Sequence, residues 1–113
     1  MLNVTAEELG VGAGVLLRAI EPLDGINRMK RLRKTDKLTD LARGPGRLAA
    51  ALEIDQRLDG VDLCAKGPLW FGTAVRETAH ISTTVRIGIT REVGRLLRFL
   101  EAGSPFVSGP STR

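Results

Sequence analysis

The chain has 113 residues, of which 42% are hydrophobic and 27% charged, a composition typical of one folded globular domain. Its 17 Lys and Arg against 13 Asp and Glu give a formal net charge of +4, which favours an anionic partner. A single cysteine, Cys64, excludes an intrachain disulfide framework and favours the cytoplasm. One histidine and one cysteine do not suffice for a zinc site, so we predict no metal and no cofactor. No apolar run approaches the ~20 residues that span a bilayer.

The most apolar run of the chain contains one charged residue, Arg18. Residues from Ala13 to Ile20 alternate between two faces, and this period of two predicts a central strand that Pro22 ends. Arg18 falls on the same face as Leu16. An unpaired buried charge costs several kcal/mol or more, and the sequence places no obvious acidic partner nearby. Arg18 therefore needs a partner from elsewhere in the fold or a role in a site.

Apolar residues at a spacing of three predict a short amphipathic helix from Gly25 to Arg33. Its outer face is basic, and the residues that follow continue the positive charge: Arg28, Lys30, Arg31, Arg33, Lys34 and Lys37. Two interpretations stay open here, a solvated face and a face that contacts phosphate. Residues 35–43 are predicted to form a loop or a broken helical turn.

A second helix is predicted to begin in Gly44-Pro45-Gly46-Arg47-Leu48, because proline suits the first helical turn. The amides around Gly46 and the charge of Arg47 are able to hold a phosphate. From these residues alone, a plain capped helix is the favoured interpretation.

The second half of the chain is predicted to contain three short strands. They cover Leu69–Phe71, Val85–Ile89 and Leu96–Leu100. Residues from Gly72 to Thr84 are predicted to form a loop with one helical turn around residues 75–79. The tail, residues 109–113, is predicted to be disordered. On residue pattern alone, the chain is a small basic α+β domain with one interior arginine, and DNA or RNA is a reasonable partner.

Four blocks of the sequence, in order, resemble successive blocks of the DNA-3-methyladenine glycosylase family of the mammalian alkyladenine type. The resemblance covers the C-terminal half of that family only, and it spans nearly the whole chain. The blocks are Gly12-Ala13-Gly14-Val15-Leu16-Leu17-Arg18-Ala19-Ile20-Glu21-Pro22, Leu41-Ala42-Arg43-Gly44-Pro45-Gly46-Arg47-Leu48, Arg86-Ile87-Gly88-Ile89, and Leu97-Arg98-Phe99 with Gly103-Ser104-Pro105-Phe106-Val107-Ser108.

The resemblance implies a base excision repair enzyme that flips a damaged purine out of double-stranded DNA and hydrolyses its N-glycosidic bond. It also implies a curved, mostly antiparallel, open-barrel-like sheet with peripheral short helices, as an incomplete domain over residues 1–108. We expect no membrane partner and a location in a bacterial-type cytoplasm or nucleoid.

The resemblance assigns roles to individual positions of this chain. Arg18 would hold the attacking water, and the backbone carbonyl of Ile87 or Ile89 would contact the same water. Asn3 and Leu16 would line the base pocket. In the second helix, Arg47 and Gly46 would face DNA phosphate.

The family's catalytic glutamate, pocket histidine and tyrosines belong to a first half that this sequence does not show, and the chain has no tyrosine. We therefore expect the chain alone to be a truncated glycosylase without activity. We expect it to need a complementing N-terminal half or self-association. The alternative hypothesis is a non-catalytic basic DNA-binding remnant.

Overall fold

The computed structural model describes residues 1–5, 13–74, 76–78 and 80–110. In chain order its elements are β1 (Asn3–Thr5), β2 (Gly14–Leu16), α1 (Ile26–Arg33), a 3-10 turn (Leu38–Asp40), α2 (Pro45–Ala51), a second 3-10 turn (Gln56–Leu58), β3 (Ile81–Thr84) and β4 (Arg98–Glu101). This is the predicted α+β class. Within these residues, no helix has the length and apolar character needed to cross a membrane.

Helix α1 forms where the amphipathic pattern predicted a helix. It follows Gly25, whose φ of 68° is easily adopted only by glycine. It ends at Lys34, which is also left-handed and whose amide donates to the Lys30 carbonyl. Three basic residues in the last turn complement the partial negative charge of a helix C-terminus: Lys30, Arg31 and Arg33.

The hydrophobic core lies between α1, α2 and the loop that joins them. Pro45 occupies the first turn of α2, as predicted, and Leu48 behind it is fully buried. Leu48 packs in one cluster with the following residues: Met29, Leu41, Ala42 and Ala51. Arg33 fixes the joining loop, because its guanidinium donates to the backbone carbonyls of Asp40 and Leu41 at 3.1 and 3.0 Å.

The strands form two separate antiparallel two-stranded sheets, and no barrel closes within the described ranges. In the first sheet Asn3 pairs with Leu16, and in the second Thr84 pairs with Arg98. The predicted antiparallel arrangement is confirmed. The predicted strand over Ala13–Ile20 is shorter, because the bonding to the first strand's segment ends with Leu17, whose amide donates to the Leu2 carbonyl at 3.0 Å, and Ile20 then donates to the carbonyl of Ala42 at 3.2 Å.

Two predicted strands are wrong, and a third is displaced. Residues 85–89 are irregular, because Gly88 has a φ of 70°, which no extended strand allows. The strand lies just before them, in Ile81–Thr84. Leu69–Phe71 is also irregular, with Phe71 more than half exposed. The last strand begins two residues later than predicted, at Arg98. The predicted helical turn around residues 75–79 lies partly outside the described residues. Residues 111–113 of the predicted tail lie wholly outside them.

We predict that Leu48→Ala loosens the helical core strongly. Removing a fully buried leucine costs about 2–5 kcal/mol, so hydrogen exchange of the α1 and α2 amides, measured by NMR, should accelerate about 30-fold or more. Leu23→Ala is the matched control, because Leu23 is 57% exposed and its truncation should change exchange little. Equal exchange rates in the two variants would contradict this description of the core.

Candidate functional site

A cleft of about 770 Å³ opens between the first sheet and the second. Its walls are β2 with the segment that follows it, the irregular residues 86–89, β4, and the C-terminal segment 104–108. The lining includes five of the residues that the sequence predicted for the site: Asn3, Leu16, Arg18, Ile87 and Ile89. The fold therefore brings together positions that lie far apart in the sequence.

Asn3 and Leu16 are neighbours because the register of the first sheet makes them so. They are directly paired across β1 and β2, so their side chains lie on the same face of the sheet. Asn3 is exposed and Leu16 is half-buried. An amide and an aliphatic side chain thus line the same wall, where one can form hydrogen bonds to a ligand and the other can pack against it.

Arg18 lies half-buried on the cleft wall, two residues beyond the end of β2. Its Nε donates to the hydroxyl of Ser108 at 3.3 Å. No carboxylate of the described residues lies within 4.0 Å of its guanidinium. Neither of its two terminal nitrogens donates a hydrogen bond to any other described residue. Arg18 is therefore held at Nε while its terminal N–H groups are available to a ligand or to water.

A second arginine, Arg98, lies deeper beside the first and is 6% exposed. One of its terminal nitrogens donates to the carbonyls of Ser108 and Pro110, both at 2.6 Å, and the other to the Thr84 hydroxyl at 3.1 Å. Burial lowers the pKa of Arg98, and the nearby charge of Arg18 lowers it further. Its three oxygen acceptors compensate the desolvation of a charge that has no carboxylate partner among the described residues.

Arg98 is not among the predicted site residues, although its sequence signal is the same as that of Arg18. It is a lone charge between Leu97 and Phe99 in a short apolar run. Like Arg18, it needs partners, because an isolated charge is costly to bury.

The remaining charges give the cleft a positive balance. The described lining contains four arginines and two glutamates. Both glutamates are occupied by one arginine, since Arg76 lies 3.0 Å from Glu101 and 3.6 Å from Glu21. The hydrogen bond and charge of Glu101 raise the pKa of Arg76. The cleft therefore suits an anionic or electron-rich ligand, and its described carboxylates are already engaged.

Arg47 and Gly46 do not line the cleft. Both are exposed in the first turn of α2, where Arg47 lies 3.8 Å from the carboxylate of Asp40. They belong to a separate basic surface on the helical side of the molecule. We define this surface, the helical basic surface, by its exposed residues Arg28, Arg31, Lys34, Lys37 and Arg47.

The chain matches the sequence model of one protein family, described as methylpurine-DNA glycosylase, over residues 1–105. A protein of Mesorhizobium japonicum named "Putative 3-methyladenine DNA glycosylase" is 60% identical over 110 residues. That match covers 97% of this chain and 53% of the relative. A protein of the same name from Paraburkholderia phytofirmans is 51% identical, with 97% and 52% coverage.

The chain thus spans about half the length of the curated relatives it matches. The family match covers all four of the blocks that carried the resemblance, apart from the last three residues of the final one. The resemblance predicted from these blocks is therefore confirmed, and the chain belongs to the methylpurine-DNA glycosylase family.

Proposed function

We propose that the chain forms the water-holding and base-lining part of a DNA glycosylase site, in which a flipped damaged purine is cleaved from its sugar. The observation that carries this proposal is the cleft that unites Arg18, Asn3 and Leu16. Asn3 and Leu16 come from two paired strands and Arg18 from the segment after the second; together they line one cleft, with N–H groups of Arg18 and the amide of Asn3 accessible. An enzyme acting on a base inside duplex DNA needs such a pocket, because it must accommodate the extruded nucleotide.

Each of these residues has a distinct task in the proposed reaction. Leu16 packs against the purine ring, and the Asn3 amide bonds to its edge. The terminal N–H groups of Arg18 donate to a water molecule, and the carbonyl of Ile87 or Ile89 accepts a hydrogen bond from one of its two O–H groups, whose proton stays on the oxygen. The water oxygen then bonds to the sugar carbon as the bond from that carbon to the purine nitrogen breaks, and the purine leaves with the bonding electrons.

A general base must remove the second proton of that water. Glu21 and Glu101 line the cleft, but both carboxylates are already paired with the guanidinium of Arg76. We propose that the base is a carboxylate from the part of the family domain that this chain does not contain. The chain alone is then inactive.

The apolar rim of the cleft supports the same proposal. Val15 is 53% and Phe99 66% exposed, and both line the cleft. Apolar surface of this kind marks an interaction site or an aggregation hazard. We propose that it is covered by the remaining part of the family domain, or by a second copy when that part is absent.

Double-stranded DNA with a damaged purine is the proposed substrate, and a bacterial cytoplasm or nucleoid is the proposed location.

The second candidate function is DNA binding without excision. The observation that favours it is the helical basic surface, which is exposed and lies outside the cleft. Phosphate contacts by such a surface would be independent of sequence and strongly salt-dependent.

The proposal predicts activity in a chimaera in which this chain replaces the matching segment of the Mesorhizobium japonicum relative. The chimaera should excise hypoxanthine from a duplex, measured by strand cleavage after alkali, and the 113-residue chain alone should not. Arg18→Ala should lower the rate about 100-fold or more, because a preorganised donor is lost.

The control for this experiment is Arg57→Ala, since Arg57 is exposed and does not line the cleft. It should retain the rate of the unmodified chimaera. Full activity in Arg18→Ala, or excision by the chain alone at the rate of the chimaera, would contradict the proposal.

We predict that Arg47→Gln weakens binding of the chain to undamaged duplex and makes it less salt-dependent. Loss of one phosphate contact should reduce the slope of log K against log salt by about 1. Fluorescence anisotropy at several salt concentrations measures this slope. Arg57→Gln is the control, because Arg57 pairs with Asp55 at 2.8 Å outside the helical basic surface. An unchanged slope in Arg47→Gln would exclude this phosphate contact.

We predict that Phe99→Ser reduces self-association of the isolated chain, because it removes the most exposed aromatic ring of the cleft rim. Sedimentation velocity should show a shift towards monomer. Phe71→Ser is the matched control, since Phe71 is 54% exposed but does not line the cleft. An equal effect of the two substitutions would show that association is not specific to the cleft.

A further inference from the structure

We propose that Ser108 and Arg98 are positioning residues that fix the direction of the Arg18 guanidinium in the cleft. The catalytic meaning of this inference rests on the proposed function, in which Arg18 holds the attacking water. The hydrogen bonds that link these residues do not depend on that function. They run from the Thr84 hydroxyl through Arg98 and Ser108 to Arg18.

Arg98 is the rigid end of this connection. It is nearly fully buried, and its planar guanidinium donates to oxygens of Thr84, Ser108 and Pro110. Breaking any of these bonds would leave a buried charge undersolvated, which costs more than an ordinary exposed hydrogen bond. The backbone at Ser108 is therefore held in one place relative to β3 and β4.

Gly109 restricts the same segment further. Its φ is 72°, and a Cβ at this position would lie 2.7 Å from the Cδ1 of Ile87 and 3.7 Å from a terminal nitrogen of Arg98. The segment after Ser108 thus passes close over Ile87. Arg18 and the side chain of Ile87 therefore lie against the same short piece of chain.

Ser108 transmits this rigidity to Arg18. Its side-chain oxygen accepts from the Arg18 Nε at 3.3 Å, and Ser108 itself is 8% exposed. Fixing an arginine side chain costs rotamer entropy, and Arg98 repels Arg18 because both are positive. Without the Ser108 hydroxyl, Arg18 has no described side-chain partner that keeps its terminal nitrogens in the cleft.

The direct test is the side-chain Nε–H signal of Arg18 in the NMR spectrum of the 113-residue chain, assigned by its disappearance in Arg18→Lys. Ser108→Ala should shift this signal and accelerate its exchange with water about 5-fold, as expected for the loss of one hydrogen bond. Ser108→Thr keeps the hydroxyl, so it should preserve the signal.

Arg98→Lys should have the same effect as Ser108→Ala. Lysine keeps the charge, but one ammonium group does not reproduce the planar fork that reaches three acceptors. Unchanged exchange of the Arg18 signal in Ser108→Ala, or equal loss of the signal in Ser108→Ala and Ser108→Thr, would overturn the inference.

The catalytic consequence is measured in the chimaera described above. Ser108→Ala should lower kcat and leave KM unchanged, and Ser108→Thr should restore kcat. A rise in KM with unchanged kcat would overturn the positioning role. Full activity of Arg18→Ala, together with a Ser108-dependent Arg18 signal, would instead refute the proposed function and support the contact, so the two failures are distinguishable.

Discussion

The structure of the cleft depends on one constraint, the burial of the Arg98 guanidinium without a carboxylate partner among the described residues. Its charge is stabilised only if Thr84, Ser108 and Pro110 keep their oxygens in place. The second sheet and the C-terminal segment are therefore joined through a polar contact rather than through a large apolar core. The main core lies elsewhere, between the two helices.

This division explains the character of the site. The helical side carries the packing, with Leu41 and Leu48 fully buried, while the cleft side carries charge and exposed apolar groups. Arg18 lies at the boundary, because its segment bonds to the loop before α2 through Ile20 and to the C-terminal segment through Ser108. The cleft is positive, and Arg76 pairs with both of its described glutamates. It is therefore suited to bind and orient an anionic or electron-rich ligand. Among its described lining residues there is no unpaired carboxylate to accept a proton.

The two helices were predictable from sequence because their signals are local, namely the apolar spacing of α1 and the proline at the start of α2. The strands were predicted less well, because alternation in a short segment does not show whether a partner is available. Val85–Ile89 alternates, yet Gly88 turns the chain there, and β3 forms in the less regular Ile81–Thr84. The pocket residues came from the family resemblance. Arg98 was missed although it is, like Arg18, a lone charge in a short apolar run; its three acceptors come from distant residues and cannot be read from the sequence.

The central claim is that the cleft, and not the helical basic surface, receives the damaged base. The most direct measurement is the methyl NMR spectrum of the chimaera bound to a duplex containing hypoxanthine, compared with an undamaged duplex of the same sequence. The account predicts additional shifts for the methyl groups of Leu16 and Ile87, which line the cleft. Identical cleft methyl signals in the two complexes, with every change confined to α1 and the first turn of α2, would contradict it.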